Sequence, residues 1–486
     1  MSQGDENAHA KFADLFKDGR ALLTLTLILA VGSHATNLFV TRTVLPTIVA
    51  DIGGKELMYW ALALFQIAAI VGGMGSAQIK ARLGGRHTIY LAAALLVVGS
   101  SFAGFANHFG YLVIGRGIQG FAEGMLISLS YIILSESYPN NLMARMIGIL
   151  AVVWAIASAI GPLAAGLLEA SFGWRSAFLV NLAIAAILIV QARLSVKQQP
   201  SKQTDQRIPV ARLTLFLAAI TGICLTGQFA TPLPIIGILT VSFVLLALAI
   251  VRDRHAKNRM LPDRIFTANG SIGLGIWANI SVSIAVGGHS VYAIALLQSL
   301  WLLSPMQAGY MASIVAVTWS AASWGLSGIA QLKSQLACIR IGISLITVSF
   351  PVAAIGWAQT NLIITGFGFV LMGTGLGVSS IFLEKKIMHA AAKPEKDRTS
   401  SILPPIDSAA GAIGASFASA LALSLGLFGG MPTFGILDAQ VATVVAPQLY
   451  MTFFVLSLPA MVLAYFLPLD DFLLERPRKP QTLAEQ

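Results

Sequence analysis

The chain has 486 residues, 56% of them hydrophobic and only 11% charged, with a formal net charge of +10 and a mean hydropathy of +0.78. Soluble domains carry about 25% charged residues, so this balance excludes a soluble enzyme or binding module and indicates a polytopic membrane protein. The positive charge is no nucleic-acid footprint, because its placement follows topology, and the two cysteines, Cys224 and Cys338, have neither disulfide-framework nor metal spacing.

Residues 1–20 are polar and lead into an apolar run that lacks a small-residue cleavage site, so they read as a cytoplasmic tail before a retained helix. Runs of spanning length follow at about 21–41, 57–79, 88–106, 109–134, 146–168, 176–193 and 211–229, then at about 233–251, 270–297, 306–329, 338–358, 361–383, 407–428 and 447–467. The reading is an all-α membrane protein with fourteen transmembrane helices. An even number puts both termini on one side. Of the 31 lysines and arginines, 27 fall in connections on that side, three (Arg42, Lys55, Arg175) on the other, and Arg116 lies within a helix. A single missed span would invert every later loop, so this asymmetry supports the count and makes the basic side cytoplasmic.

Two longer basic linkers, 194–210 and 252–267, bracket the seventh and eighth helices. They divide the chain into a six-helix bundle at 21–193, an inserted pair at 211–251, a second six-helix bundle at 268–467 and a cytoplasmic tail at 468–486. Folds of repeated halves place their site between the halves, near the bilayer midplane.

The fourth helix holds the most unusual stretch, Arg116-Gly117-Ile118-Gln119-Gly120-Phe121-Ala122-Glu123-Gly124. Each charge at mid-helix costs about 2.5–3.5 kcal/mol on insertion scales, so such groups mark function. Seven residues return Glu123 to within about 20° of Arg116, roughly 10 Å along the same face. Gly120 and Gly124 form a small-xxx-small pair for close helix approach. In the fifth helix Ala157, Gly161 and Ala165 repeat every four residues, and Pro162 removes one backbone donor beside them.

Arg116-x-x-Gln119-Gly120 resembles the helix-4 motif of the major facilitator superfamily, and Ala157-x-x-x-Gly161-Pro162-x-x-Ala165-Gly166 resembles the helix-5 motif of its antiporters. Val44-Leu45-Pro46 at the close of helix 1, Gly173-Trp174-Arg175-Ser176-Ala177-Phe178 with Asn181, Leu261-Pro262-x-x-Ile265-Phe266, and Leu297-Gln298 followed by Ser304-Pro305-x-Gln307-Ala308-Gly309 are similar to motifs of its fourteen-helix drug:proton antiporter branch. The resemblance implies a secondary active transporter that exports amphipathic small molecules against proton entry by alternating access. It further implies residence in a cell membrane, the bacterial inner membrane in particular, and action as a monomer without cofactor or metal. In that family the helix-5 motif seals or hinges the interface between halves.

Two departures stand out. Gly85, Arg86 and His87 match the family's loop between helices 2 and 3, but Arg82 stands where that loop carries an aspartate. Asn37 stands where the drug antiporters carry an intramembrane aspartate in helix 1, and asparagine cannot carry a proton. Glu123, at a position usually small in the family, becomes the candidate proton carrier, tuned by Arg116, with neutralisation of a structural arginine as the plainer role. His34 is a candidate relay. Asn37, Thr41, Gln119, Asn279 and His289 are candidates to line the substrate cavity. Asp407 reads as a carboxylate at a helix N-terminus, and Gly373, Gly375 and Gly377 read as packing positions. A proton-coupled importer is the nearest alternative. A membrane enzyme or ATP-driven pump finds no support, since HExxH, GxSxG and GxxxxGK[ST] motifs do not occur.

Overall fold

A computed structural model describes residues 12–54, 57–197, 208–227, 229, 231–267, 270–329, 331–426 and 439–469. The expected tails therefore lie largely outside the described residues, as does 198–207 of the first linker. Fourteen α-helices follow in order: α1 (Ala21–Ile52), α2 (Met58–Leu83), α3 (Gly85–Gly104), α4 (Phe109–Ser137), α5 (Asn140–Phe172), α6 (Ser176–Ser195) and α7 (Val210–Thr226), then α8 (Pro232–Arg254), α9 (Ser271–Trp301), α10 (Pro305–Leu326), α11 (Leu332–Ala358), α12 (Leu362–His389), α13 (Lys396–Ser424) and α14 (Ala439–Phe466). Twelve are long and apolar enough to cross a bilayer. Of the other two, α7 has only 17 residues, and serine, tryptophan and glycine dilute the apolar content of α10.

Two boundaries differ instructively from the sequence reading. Helix 1 does not close at Leu45-Pro46 but runs through Pro46 to Ile52. Pro46 is exposed, so its ring meets no packed neighbour, and the only loss is one backbone donor. Helix 13 begins at Lys396, which makes Asp407 a mid-helix residue instead of an N-terminal one. Its first turns are too polar to read as a span, yet Thr399, Ser400, Ser401 and Ile402 are buried against neighbouring helices. Packing overrides composition there.

Bare backbone contacts set the helix pairing. A Cβ at Gly120 would lie 2.0 Å from the Phe65 carbonyl oxygen, and one at Gly124 would lie 1.9 Å from that of Ala69, so α4 lies directly on α2. The second bundle repeats the device: added Cβ atoms at Gly373 and Gly377 of α12 would meet the Val315 and Trp319 carbonyls of α10 at 2.2 and 2.3 Å, while Gly375 faces Gly342 of α11. Turns are equally economical. Gly84, with φ +80°, is the single residue between α2 and α3, a left-handed conformation that glycine adopts freely.

The result is two six-helix bundles with α7 and α8 inserted between them in sequence. Arg212 of α7 is buried in an ion pair with Asp253 of α8 and donates to the Asn258 carbonyl at 3.0 Å. The Asp253 carboxylate also accepts from the Met260 and Leu261 amides at 2.9 Å, fastening the pair to the connection that follows.

The bundles meet near the basic connections. Ser320 of α10 donates to the Ala151 carbonyl of α5 at 2.9 Å, and Pro405 of α13 presses on Gly73 of α2. Before α1, a 3₁₀ turn at Phe12–Phe16 adds a clasp: the Phe12 ring stacks on Trp324 of α10 at 4.0 Å while Arg145 of α5 lies 4.8 Å from it. The residues of the helix-5 motif divide by burial. Ala157 and Ala165 are buried and Gly161 lies against Phe39 of α1, within one bundle, while Pro162 and Gly166 are exposed.

The glycine contacts make a direct prediction. Replacing Gly124 by Val drives two methyl groups into the α2 backbone and should destabilise the protein by about 2–3 kcal/mol. The check is thermal inactivation of the detergent-purified variant, and an unchanged inactivation temperature would refute the close α2–α4 contact.

Candidate functional site

Helix periodicity puts Arg116, Gln119 and Glu123 on one buried face of α4, and all three side chains are 0% exposed. Arg116 and Glu123 are bridged and make no direct ion pair. Between guanidinium and carboxylate stands Asn37 of α1: its Oδ1 accepts from Arg116 Nη1 at 2.9 Å, and its Nδ2 donates to Glu123 Oε1 at 2.7 Å. An amide carries a donor and an acceptor on one carbon, so it links a cation to an anion, which a carboxylate could not do. An aspartate here would oppose Glu123 as a second negative charge.

The network extends on both sides. Arg116 donates through Nη1 to Gln119 Oε1 at 2.9 Å and through Nε to the Ala61 carbonyl of α2 at 3.3 Å. Gln119 passes the chain to Ser100 of α3 at 2.8 Å, and Thr41 donates to Asn37 Oδ1 at 3.2 Å. Arg116 Nη2 has no hydrogen-bond partner, but the guanidinium lies 3.8 Å over the Phe65 ring, a cation–π contact strengthened by exclusion of water. A buried charge pair survives only when its remaining polar atoms are satisfied. Apart from Arg116 Nη2, which has only the Phe65 ring, that condition fails at one place.

That place is the outer oxygen of Glu123. Oε2 has no hydrogen bond, and neither does Nδ1 of His34, which lies 3.3 Å from it. The imidazole is held between Phe65, stacked at 5.2 Å, and the edge of Trp154 at 5.8 Å. Two buried, unsatisfied atoms of a carboxylate and an imidazole face one another at almost hydrogen-bonding distance. A single proton would join them.

Of the residues singled out in sequence, the structure thus gathers Glu123, Arg116, Asn37, Gln119, Thr41 and His34. It does not bring the others to this point. Asn279 donates to Asp407 in the second bundle at 2.5 Å, together with Ser283 at 3.0 Å. His289 is sealed in an aromatic cluster, with Nδ1 2.8 Å from the Tyr450 hydroxyl and Phe369 edge-on at 4.7 Å. Gly85 and Arg86 lie at the basic face, where Arg86 Nε donates to the Val196 carbonyl at 2.9 Å and anchors the end of α6.

Sequence reasoning left the closure of the basic face without a carboxylate, and the structure supplies two from elsewhere. Lys80 of α2 is buried and pairs with Glu136 of α4 at 2.5 Å and with Asp397 of α13 at 2.8 Å. One lysine therefore joins the two bundles. Both acids stand near helix ends, where sequence gives no reason to separate them from surface charges. Ser100, Phe65 and the Ala61 carbonyl were equally silent, because small polar and aromatic residues are common in any membrane helix.

The Major Facilitator Superfamily model matches residues 27–415. The chain is 27% identical over 418 residues to the probable multidrug-efflux transporter Rv1634 of Mycobacterium tuberculosis, covering 82% of this chain and 87% of that one. It is 26% identical to the multidrug efflux pump SdrM of Staphylococcus aureus, covering 76% and 81%. In fold it is similar to the human organic anion transporter MFSD10 (TETRAN), with a TM-score of 0.65 at 14% identity over 90% of this chain and 99% of that one. The family match runs from α1 into α13 and includes the whole Arg116–Glu123 network: the chain belongs to the major facilitator superfamily.

Proposed function

We propose that the protein is a proton-coupled exporter of amphipathic small molecules, with Glu123 as the proton-carrying group and His34 as its partner. The observation that carries this reading is the facing pair of unsatisfied atoms, Glu123 Oε2 and His34 Nδ1, at the end of the Arg116–Asn37–Glu123 network. Export is supported by the relatives in Mycobacterium and Staphylococcus, a probable multidrug-efflux transporter and a multidrug efflux pump. The basic face is cytoplasmic by the distribution of lysine and arginine, with both termini there, and the bacterial inner membrane suits such a topology. The polypeptide works as a monomer, each bundle forming one half of the transport unit, within the boundaries 21–193 and 268–467.

The chemistry follows from charge balance. With Glu123 ionised, the carboxylate and Arg116 neutralise one another through Asn37, and the closed arrangement costs little. A proton on Oε2 removes the negative charge and leaves Arg116 uncompensated in a water-excluded site. Rearrangement that hydrates or re-pairs the guanidinium is then favoured. Release of the proton on the cytoplasmic side restores the neutral network. The halves meet through Lys80–Asp397, Ser320–Ala151 and Phe12–Trp324 near the connections read as cytoplasmic, so in this arrangement that side is closed.

Two experiments test this reading. Glu123→Gln keeps an oxygen for Asn37 but cannot carry a proton. In proteoliposomes it should lose at least about tenfold of pH-gradient-driven dye transport, equivalent to ~1.4 kcal/mol, while downhill exchange continues. An unchanged dependence on the gradient removes Glu123 from the coupling step. Lys80→Met severs the cytoplasmic closure. In a chain lacking Cys224 and Cys338, a cysteine introduced at Ser400 should then react about fivefold faster with an impermeant maleimide from that side, the ~1 kcal/mol expected of a partly exposed ion pair. Equal rates would show that the lysine does not hold the halves together.

A further inference from the structure

At the basic face of the second bundle, the start of α11 and the end of α14 enclose a groove of about 500 Å³, lined among others by Lys333, Leu336, Arg340, Ile341 and Tyr465. Its cationic wall is held in place. The Arg340 guanidinium donates through Nε to the Ala464 carbonyl at 3.3 Å and through Nη2 to the Tyr465 carbonyl at 3.0 Å. Both carbonyls belong to the last turn of α14 and have no partner within their own helix. These two bonds fix the guanidinium 5.5 Å from the Tyr465 ring and leave Nη1 for a further acceptor. Lys333 stands seven residues earlier, within about 20° on the same face of α11 and roughly 10 Å closer to its end. It lies in the first turn of α11, where the helix dipole disfavours a cation, so helix stability does not account for it. Among the described residues, neither Lys333 nor Arg340 forms an ion pair with a carboxylate. A third cation, Lys386 of α12, reaches the Leu469 carbonyl at 3.5 Å beside the same groove.

The groove is charged at one end only. α11 and α14 run antiparallel, with Arg340 against Ala464, the Phe350 ring 6.0 Å from Phe453 and the Trp357 ring 5.5 Å from Tyr450. That register sets Ile341 level with Val462 and Val348 level with Val455, and all four side chains are exposed. On each helix the two residues are seven apart and share a face. An apolar seam therefore leads from the cations towards the middle of the bilayer. A free phosphate would match the cations and leave the seam unused, and a hydrocarbon alone would leave the cations unmatched. A molecule with an anionic head and acyl chains matches both. The site also lies at the ends of two spanning helices on the basic side, the level of the headgroups.

We infer that the α11–α14 groove is a binding site for an anionic phospholipid, with Arg340 and Lys333 on its phosphate and an acyl chain along the Ile341–Val348 and Val462–Val455 seam. The bound lipid ties α11 to α14 a second time, beside the Arg340 bonds. The site stands apart from the exporter reading, because binding at equilibrium needs neither gradient nor cargo, and failure of either leaves the other in place.

The test adds dioleoyl phosphatidylglycerol or dioleoyl phosphatidylcholine to the full-length protein in dodecyl maltoside and measures bound lipid by native mass spectrometry. Wild type should prefer the glycerol lipid about twenty-fivefold, and Lys333→Gln and Arg340→Gln should each remove about fivefold of that preference, as expected of single basic residues at a membrane surface. Arg340→Lys, which retains the charge, should keep most of it. Lys257→Gln removes an exposed lysine from the connection after α8 and should change nothing. Thermal unfolding checks the folding of each variant, and if Arg340→Gln does not fold, the exposed Lys333 carries the test. No preference in wild type, or equal losses in Lys257→Gln and Lys333→Gln, overturns the inference. Displacement of the lipid by millimolar glycerol phosphate does the same, since the site would then take a soluble anion. In proteoliposomes, a benzophenone amino acid in place of Ala337, on the groove wall, should capture phosphatidylglycerol. Capture of residues 470–486 or of a second copy of the chain would give the groove to that occupant instead.

Discussion

The amide of Asn37 is the contact on which the first bundle depends. It lets a guanidinium and a carboxylate, both fully enclosed, share one site without touching. Only one orientation of the amide serves both, with oxygen towards Arg116 and nitrogen towards Glu123. The acid stands on α4 and the amide on α1, on opposite sides of the seam between them. The surroundings follow from it: Arg116 must reach back towards α1, and the bare α2–α4 contact at Gly120 and Gly124 brings the Phe65 ring under the guanidinium.

The two bundles use the same packing grammar for different electrostatic ends. Glycine on α4 lies against carbonyls of α2, and glycine on α12 lies against carbonyls of α10, so the scaffold repeats. The charges do not. Glu123 shares a network with Arg116 through Asn37 in the first bundle, whereas Asp407 in the second accepts from the neutral Asn279 and Ser283.

Much of the fold was legible because hydropathy and basic loops are strong, redundant signals. Fourteen apolar runs and the one-sided lysines and arginines gave the helices, and spacing on one helix gave Arg116, Gln119 and Glu123 a common face. Errors arose where packing or distance in sequence decides. Helix 13 begins in a polar segment that composition reads as a loop, which misplaced Asp407 at a helix end. The Lys80 contacts with Glu136 and Asp397 join residues distant in sequence, and no local pattern announces such a pair. His289 stood out because histidine in a membrane helix is rare, and it sits among aromatic rings with the Tyr450 hydroxyl at hydrogen-bonding distance.

The Lys80 junction is asymmetric. Lys80 and Glu136 belong to one bundle and stay together as the halves part, while Asp397, already 36% exposed at its side chain, leaves alone. An acid that departs into water and finds counterions there loses little, whereas the buried lysine keeps a partner throughout. Parting at this point therefore strands no charge, and its modest cost shrinks as electrolyte on the basic side rises. The ionic composition of the compartment facing that side thus enters the balance between the two orientations of the protein, with no ligand required to set it.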